Sequence, residues 1–266
     1  MDVATWTGNK HWTQMVCSLD VARSSKPTIA IEHLGVQYRT VEALRDVSFE
    51  VNSGRLTGII GPNGAGKSTL MKAMLGLIPV SSGTAVFEGK ALSEQRERIA
   101  YVPQRSQVDW TYPATVWDVV MMGRVKKTGW FLPFSSVSRR IVKEALERVG
   151  MSAFRDRPIG QLSGGQQQRV FLARALAQQA DIFCFDEPFA GIDQKTQAII
   201  FDIFHELTNT DKTVIVVNHD LGESISHFDD LVLLNTELIA AGSRQKVLTQ
   251  ENLYRAYGGR VVFFAA

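Results

Sequence analysis

The sequence predicts an α/β protein with a parallel α/β core, a flanking antiparallel β-subdomain and an α-helical insertion. Three observations carry this prediction. Short, mostly apolar runs such as residues 56–60 and 213–218 have the composition of central parallel strands. Residues 29–89 contain short alternating segments separated by turn residues, as in an antiparallel sheet. From about residue 105 to residue 165 the apolar spacing becomes helical.

A glycine-rich loop follows the strand at residues 56–60 and leads into a predicted helix. The loop reads Gly61-Pro62-Asn63-Gly64-Ala65-Gly66-Lys67-Ser68-Thr69. Its glycines let backbone N–H groups point at phosphates, and the helix start adds partial positive charge. The lysine is predicted to reach the β- and γ-phosphates of a nucleotide, and Ser68 to ligate Mg²⁺. An ordinary glycine-rich turn would match the fixed positions in on the order of one chain in a hundred of this length.

An apolar strand at residues 181–186 ends in two carboxylates, Asp186 and Glu187, and Pro188 stops it. Parallel strands deliver such side chains to their carboxyl ends, where α/β sheets hold ligands. Asp186 is predicted to be the second Mg²⁺ contact, and Glu187 to orient or deprotonate the attacking water. The alternative reading is a loop start or a helix cap, and the glycine-rich loop favours the catalytic one.

Three further candidates are identified by position alone. Gln104 follows a strand broken by proline, and its amide is predicted to touch Mg²⁺ or the attacking water. His219 follows the buried strand at 213–218, so it should emerge at the same sheet edge as Asp186 and donate to the γ-phosphate. Tyr38, at a strand end, is predicted to stack on adenine. The histidine and the tyrosine also have ordinary structural readings.

A second helix-opening segment reads Leu162-Ser163-Gly164-Gly165-Gln166. The serine is a good N-cap, and the two glycines expose backbone N–H groups to an incoming anion. A capped helix start by itself does not need two glycines, which weaken a first turn. Because one phosphate-binding loop suffices to bind a nucleotide, the second segment indicates that a triphosphate is held from two sides.

These motifs and their order resemble the ATP-binding subunits of ATP-binding-cassette (ABC) transporters, over roughly residues 28–245. The set comprises Tyr38, the phosphate-binding loop, Gln104, residues 162–166, the acidic strand with Glu187, the loop Ala190-Gly191-Ile192-Asp193, and His219. The resemblance implies a P-loop NTPase fold of the ABC nucleotide-binding type, with ATP and Mg²⁺ as cofactors. It also implies a homodimer in which one subunit contacts the ATP of the other through Ser163, Gly164, Gly165, Gln166 and Asp193.

The insertion is where a membrane partner would be recognised. Aromatic and methionine side chains crowd into it, namely Trp110, Tyr112, Trp117, Met121, Met122, Trp130, Phe131 and Phe134. Some must form the subdomain core, but the group exceeds what a small helical unit needs, and exposed aromatics favour interfaces. In the ABC family this region, here residues 105–135, contacts the integral-membrane permease. Residues 109–124 are similar to the branch that takes up manganese, zinc or iron, with manganese first and zinc second.

Composition agrees with a peripheral subunit on the cytoplasmic face of a membrane. The 266 residues are 45% hydrophobic and 21% charged, ordinary values for a globular chain. No apolar run approaches the ~18 residues that cross a bilayer. A net charge of +2 gives no argument for nucleic acid. Cys17 and Cys184 lie in unrelated contexts, which fits a reducing cytosol. An extracytoplasmic metal-binding protein would be met only indirectly.

Predicted boundaries are a flexible N-terminal extension (1–27), a core with its β-subdomain (28–104 and 166–245), a helical subdomain (105–165) and a C-terminal tail (246–266). Two other functions remain open at this point. One is a soluble ABC ATPase outside transport, although the long coiled coils or paired cassettes of such proteins are not seen. The other is a nucleotide sensor without hydrolysis, which the presence of both Glu187 and His219 argues against. Export is also possible, although the lack of fused membrane helices favours import.

Overall fold

The computed structural model describes residues 27–128, 133–219 and 222–259. All but the last residue of the predicted N-terminal extension lies outside the described residues, including Trp6, Trp12 and Cys17. Trp130 and Phe131 of the insertion also lie outside them.

Ten strands and eight α-helices are described, with short 3₁₀ turns between them. The strands are β1 (Pro27–Tyr38), β2 (Val41–Asn52), β3 (Leu56–Ile60), β4 (Ser82–Phe87), β5 (Lys90–Ala91), β6 (Ile99–Val102), β7 (Ile182–Asp186), β8 (Thr213–Val217), β9 (Asp230–Asn235) and β10 (Glu237–Ser243). The helices are α1 (Lys67–Met74), α2 (Val116–Met121), α3 (Val125–Thr128), α4 (Ser136–Arg148), α5 (Gly164–Gln178), α6 (Gln194–Asn209), α7 (Arg244–Val247) and α8 (Gln250–Tyr257).

The core is a six-stranded sheet in the order β10-β9-β3-β8-β7-β6. Its strands pair in parallel except for β10, which is antiparallel to β9. Every residue of β3, β7 and β8 is buried, as expected for parallel strands covered on both faces. The predicted parallel core is therefore confirmed, and the carboxyl ends of β3, β6, β7 and β8 meet at one edge of the sheet.

A second sheet, β2-β1-β4-β5, is antiparallel throughout, which confirms the predicted β-subdomain. It packs with α1 against one face of the core sheet. Alternate residues of β7 point to opposite faces of the core sheet. Cys184 belongs to the hydrophobic cluster beneath the antiparallel sheet, whereas Phe183 and Phe185 belong to the hydrophobic cluster on the opposite face. That second cluster contains the buried sides of α2, α4, α5 and α6.

The insertion is helical, as predicted, and packs on α5. Thr115 and Asp118 form a reciprocal capping box at the start of α2, and the Ser135 hydroxyl caps α4. The buried guanidinium of Arg124 donates to the carbonyl of Ala177 and to Oε1 of Gln179 at 3.0 and 2.9 Å. These bonds tie the insertion to the carboxyl end of α5.

The segment predicted as a C-terminal tail differs from that prediction. Residues 244–257 form α7 and α8, and Val247, Leu253 and Ala256 are buried in the core. Asn235 also donates its side-chain amide to the Ala256 carbonyl at 3.1 Å. These contacts make at least residues 246–257 part of the folded domain. Within the described ranges, no helix combines the length and the hydropathy required to cross a membrane.

Candidate active site

The glycine-rich loop connects β3 to α1, as the sequence predicts. Gly66 precedes α1 with φ 92°, in the left-handed region that glycine adopts without strain. A Cβ at this position would also lie 2.6 Å from the carbonyl oxygen of Ala43. Backbone conformation and close packing therefore both require glycine at Gly66, which shapes the loop that precedes the helix start.

Lys67, the first residue of α1, is buried, and its ammonium lies against its own loop. Nζ donates to the carbonyl oxygens of Gly61 and Pro62 at 2.8 and 2.9 Å. Burial lowers the pKa of Lys67, while the charges of Glu187 and Asp186 act in the opposite direction. The lysine is thus held in the loop, within the electrostatic influence of both carboxylates.

Asp186 ends β7 beside the start of α1, with 1% of its surface exposed. The Ser68 hydroxyl donates to its Oδ1 at 2.8 Å. None of the described residues gives the buried Oδ2 a hydrogen bond. Burial raises the pKa of Asp186, and the bond from Ser68 opposes that rise. A hydroxyl and a carboxylate with a free oxygen are thus adjacent, and these are oxygen ligands of the kind Mg²⁺ takes.

Glu187 follows Asp186 with a left-handed backbone, at φ 52°. Its N–H donates to the Val217 carbonyl at 3.1 Å, so the turn is bonded to the end of β8. Its Oε2 accepts a hydrogen bond from Nε2 of Gln104 at 2.7 Å, and Nδ1 of His219 lies 3.9 Å from the same oxygen. The structure therefore brings Gln104, Glu187 and His219 together.

Tyr38 is the last residue of β1 and its side chain is 46% exposed. Its strand and β2 both pack against α1, so the tyrosine belongs to the sheet that borders this helix. An exposed aromatic ring there has the surface that a nucleotide base could stack on.

The second helix-opening segment begins α5. Ser163 is the N-cap, and it forms a capping box with Gln166: their side chains and backbone N–H groups bond reciprocally at 2.9 and 3.3 Å. Asp193 caps α6 by accepting from the backbone N–H and the hydroxyl of Thr196, both at 2.9 Å. A Cβ at Gly165 would lie 3.5 Å from Oδ2 of Asp193, so the two caps are neighbours.

The glycine-rich loop with α1 and the glycine-containing start of α5 belong to different layers of the fold. The main packing partners of α1 are β1, β2, β7 and β8, whereas those of α5 are α2, α4, α6 and β6. The start of α1 meets Asp186, and the start of α5 meets Asp193. The two helix starts therefore have separate surroundings within one chain.

Arg105 is a residue that sequence reasoning missed. Its guanidinium donates through Nε and Nη2 to Oε1 of Gln167, at 3.0 and 2.9 Å, and thereby contacts α5. An arginine that follows Gln104 in a loop carries no local signal of such a contact.

The aromatic cluster of the insertion divides into buried and exposed members. Trp110, Trp117 and Phe134 pack on the core, and Met121 is buried. Tyr112 and Met122 are 60% and 45% exposed. Most of the described members therefore stabilise the subdomain.

Comparison with known proteins identifies the family. Residues 44–190 match the ABC transporter family. A manganese transport system ATP-binding protein, MntB of Bacillus subtilis, is 48% identical over 88% of this chain and 94% of its own length. A zinc transport system ATP-binding protein, TroB of Treponema pallidum, is 48% identical over 88% of each chain.

Among solved structures, an ATP-binding cassette of an ABC transporter in its ADP conformation superposes with a TM-score of 0.78 at 26% identity. The superposition covers 89% of this chain and all of the other. The parallel core, the glycine-rich loop before α1 and the capped start of α5 are thus found in a chain that belongs to the ABC transporter family, whose ATPase domains bind and hydrolyse ATP and work as dimers with membrane permeases.

Proposed function

We propose that this chain is the ATP-hydrolysing subunit that energises a membrane-bound importer of a transition-metal ion. Manganese is the first candidate, and zinc or iron are the alternatives. The relatives named for manganese and for zinc support a metal cargo, and residues 109–124 put manganese first by their resemblance to that branch. The observation that carries the catalytic part is the meeting of Gln104, Glu187 and His219 at one edge of the core sheet.

ATP is held by the loop and the helix start that follows it. Backbone N–H groups of residues 61 and 63–69 surround the β- and γ-phosphates, and Lys67 turns its ammonium from two carbonyl oxygens of its own loop to the phosphates. Tyr38 supports the adenine by stacking.

Mg²⁺ fits the pair formed by Ser68 and Asp186. The buried, unbonded Oδ2 of Asp186 supports this assignment, because a buried carboxylate oxygen without a partner is costly. Gln104, at the same edge, is the third candidate for contact with the ion. When bound, Mg²⁺ neutralises charge on the β- and γ-phosphate oxygens. Ser68 and Asp186 fix its position relative to the loop.

Glu187 orients the water that attacks the γ-phosphate and accepts its proton. Gln104 holds the carboxylate in position through the 2.7 Å hydrogen bond. His219, on the other side of that carboxylate, donates a hydrogen bond to a γ-phosphate oxygen. Catalysis of this kind depends mostly on positioning and on stabilisation of charge.

The ATP bound by one subunit is contacted by the second subunit in a homodimer. Ser163, Gly164, Gly165 and Gln166 present the amino end of α5 to the γ-phosphate held by the partner, and Asp193 accompanies them. The separate surroundings of the two helix starts within one chain support this arrangement. ATP thereby joins the two subunits, and hydrolysis releases them.

The joining and release of the two subunits moves their insertions. Permease subunits receive this movement through contacts with residues 105–135. A cleft of about 150 Å³ borders the insertion at Lys126. Leu75, Leu77 and Ile99 line it from the core, and Lys126 lines it from the insertion. The chain would therefore work at the cytoplasmic face of the membrane. It would meet an extracytoplasmic metal-binding protein only through the permease, and it would not contact nucleic acid.

Transport in vesicles tests the proposal. The chain is reconstituted with its membrane partner, ATP is supplied on its side of the membrane, and accumulation of Mn²⁺, Zn²⁺ or Fe²⁺ is measured. We expect Mn²⁺ uptake that depends on ATP and stops in a Glu187→Gln control. Uptake of zinc or iron alone would change the ion, and steady hydrolysis without movement of any of the three would reject a metal importer.

A further inference from the structure

We propose that Arg105 is a positioning residue that connects the catalytic carboxylate of one nucleotide site to the helix that completes the other site. This inference rests on the proposed sharing of each ATP between two subunits. Arg105 itself touches neither nucleotide. It acts by fixing the first turn of α5, whose Ser163 and Gly164 face the ATP bound by the partner.

The first contact is with Gln167 on the first turn of α5. Two guanidinium nitrogens of Arg105 donate to Oε1 of Gln167 at 3.0 and 2.9 Å. Gln167 is only 3% exposed, and its own Nε2 donates to the carbonyl oxygen of Ile159 at 3.2 Å. The amide is therefore held from both sides. Loss of the guanidinium would leave a buried acceptor without its partner.

The second contact is with the glycine that opens α5. A Cβ added to Gly164 would lie 3.3, 3.4 and 3.5 Å from three atoms of the Arg105 guanidinium. The backbone at Gly164 therefore packs directly against this side chain. A shift of Arg105 would move or loosen the N–H groups that point toward the partner's ATP.

Trp110 gives the Arg105 backbone a fixed position against the same helix. Its indole N–H donates to the Arg105 carbonyl at 3.0 Å, and its ring packs edge-on against Phe171 of α5 at 5.2 Å. The Arg105 guanidinium also lies 5.7 Å from the centre of the indole ring. The loop after Gln104 is thus fastened to α5 at more than one point.

The preceding residue supplies the other end of the connection. Gln104 donates to Oε2 of Glu187 at 2.7 Å, and a single peptide bond joins Gln104 to Arg105. A change in the hydrogen bonding of Glu187 therefore reaches the first turn of α5 through two consecutive residues. In this way the position of the α5 start, which each subunit offers to its partner's ATP, depends on the hydrogen bonding of that subunit's own Glu187.

The test uses the full chain in a Glu187→Gln background, in which we expect ATP to be retained and dimers to accumulate. ATP binding to the subunit's own loop is measured with a fluorescent ATP analogue at protein concentrations that keep the chain monomeric. ATP-dependent dimerisation is then measured by analytical ultracentrifugation. We expect Arg105→Ala to leave the first affinity unchanged and to weaken dimerisation about tenfold, as loss of a charged hydrogen bond would.

Four further variants separate positioning from a general effect on folding. Arg105→Lys keeps one donor and should restore part of the dimerisation. Gln167→Ala should reproduce the loss, and the double variant with Arg105→Ala should add little to it, because both remove one interaction. Arg140→Ala is the matched control, since Arg140 lies on the insertion with an exposed side chain that forms a 3.7 Å ion pair with Glu144.

The outcomes distinguish the two proposals. If the parent variant stays monomeric with ATP, the shared-nucleotide proposal fails and the role of Arg105 fails with it. If the parent dimerises and Arg105→Ala dimerises equally well, only the role of Arg105 is rejected. Weaker binding of ATP to the monomer, in step with weaker dimerisation, would also reject it, because the effect would then not lie in the partner's site.

Discussion

Gln104 and Glu187, 83 residues apart in the chain, are joined by a hydrogen bond of 2.7 Å from the amide to the carboxylate. Nδ1 of His219, in the loop that follows β8, lies 3.9 Å from the same carboxylate oxygen. Three loops that follow three neighbouring parallel strands therefore converge on one oxygen atom. If a γ-phosphate binds beside this oxygen, as proposed, a change at that phosphate would alter the contacts of all three loops together.

Replacement of Glu187 by glutamine should separate binding from hydrolysis. Glutamine keeps the size of the side chain and an oxygen that can accept from Gln104, but it cannot take a proton from water. We expect ATP hydrolysis to fall by ~10²–10⁴, while ATP is retained and dimers accumulate in its presence. Phosphate release and light scattering measure the two effects. Hydrolysis at the rate of the unmodified protein would contradict the role assigned to Glu187.

A mixture of two inactive variants should recover activity if each ATP is shared. Lys67→Ala removes the phosphate-binding ammonium, and Ser163→Arg blocks the start of α5. Each homodimer should be inactive, and Lys67→Ala should also lose ATP affinity. In a mixed dimer, however, one site combines the intact loop of one chain with the intact α5 of the other. Hydrolysis by the mixture alone is the expected result, and a mixture as inactive as its components would indicate that each chain completes its own site.

Stability below neutral pH should depend on His227. Burial lowers its pKa, His205 and Arg244 lower it further, and Asp202 opposes them. A histidine with a lowered pKa in the folded chain takes up protons more readily when unfolded, so stability is lost as the pH falls from about 6.5 through that lowered pKa. His227→Phe keeps an aromatic ring that can stack on Phe201. In the structure the ring centres of His227 and Phe201 are 4.0 Å apart.

We therefore expect the Tm of the unmodified chain to fall more than that of His227→Phe between about pH 8 and about pH 5.5. Thermal unfolding followed by circular dichroism at the two pH values gives the comparison. Equal losses of Tm in the two proteins would show that His227 does not contribute.

The helix at the carboxyl end of the described chain should contribute to global stability. Leu253 is 4% exposed within the core, so Leu253→Ala should lower the free energy of unfolding by about 2–4 kcal/mol. Tyr254, the next residue, is 62% exposed and is the matched control. Its replacement by alanine should change the free energy by less than about 0.5 kcal/mol. Denaturant unfolding of both variants measures these changes. Similar small losses of unfolding free energy in the two variants would mean that α8 is not part of the cooperative folding unit.

Much of the core could be predicted because its signals are local. The strand at 56–60 lies at the predicted residues, because a short apolar run between turn residues is typical of a buried strand. The cap at Ser163 also lies where the sequence predicts it. Such elements are determined by neighbouring residues, which a single sequence displays in full.

Other features depend on contacts that no local pattern reveals. Only Leu253 and Ala256 of α8 are buried, too few to give a clear helical period, so the segment was predicted as a tail. The bond from Arg105 to Gln167 joins residues 62 apart. The roles of the site residues remain predictions, although the structure shows which of these side chains lie close enough to cooperate.

The left-handed backbone at Glu187 has a consequence for how this enzyme can be improved. A residue with a Cβ costs roughly 1–2 kcal/mol in that conformation. Glycine would relieve this cost because it lacks a Cβ, and asparagine would relieve part of it because its short side chain can hydrogen-bond the local backbone. Neither could accept a proton from water. Under the role proposed for Glu187, selection for thermal resistance and selection for turnover should therefore favour different amino acids at this one position, and the more stable protein would not hydrolyse ATP.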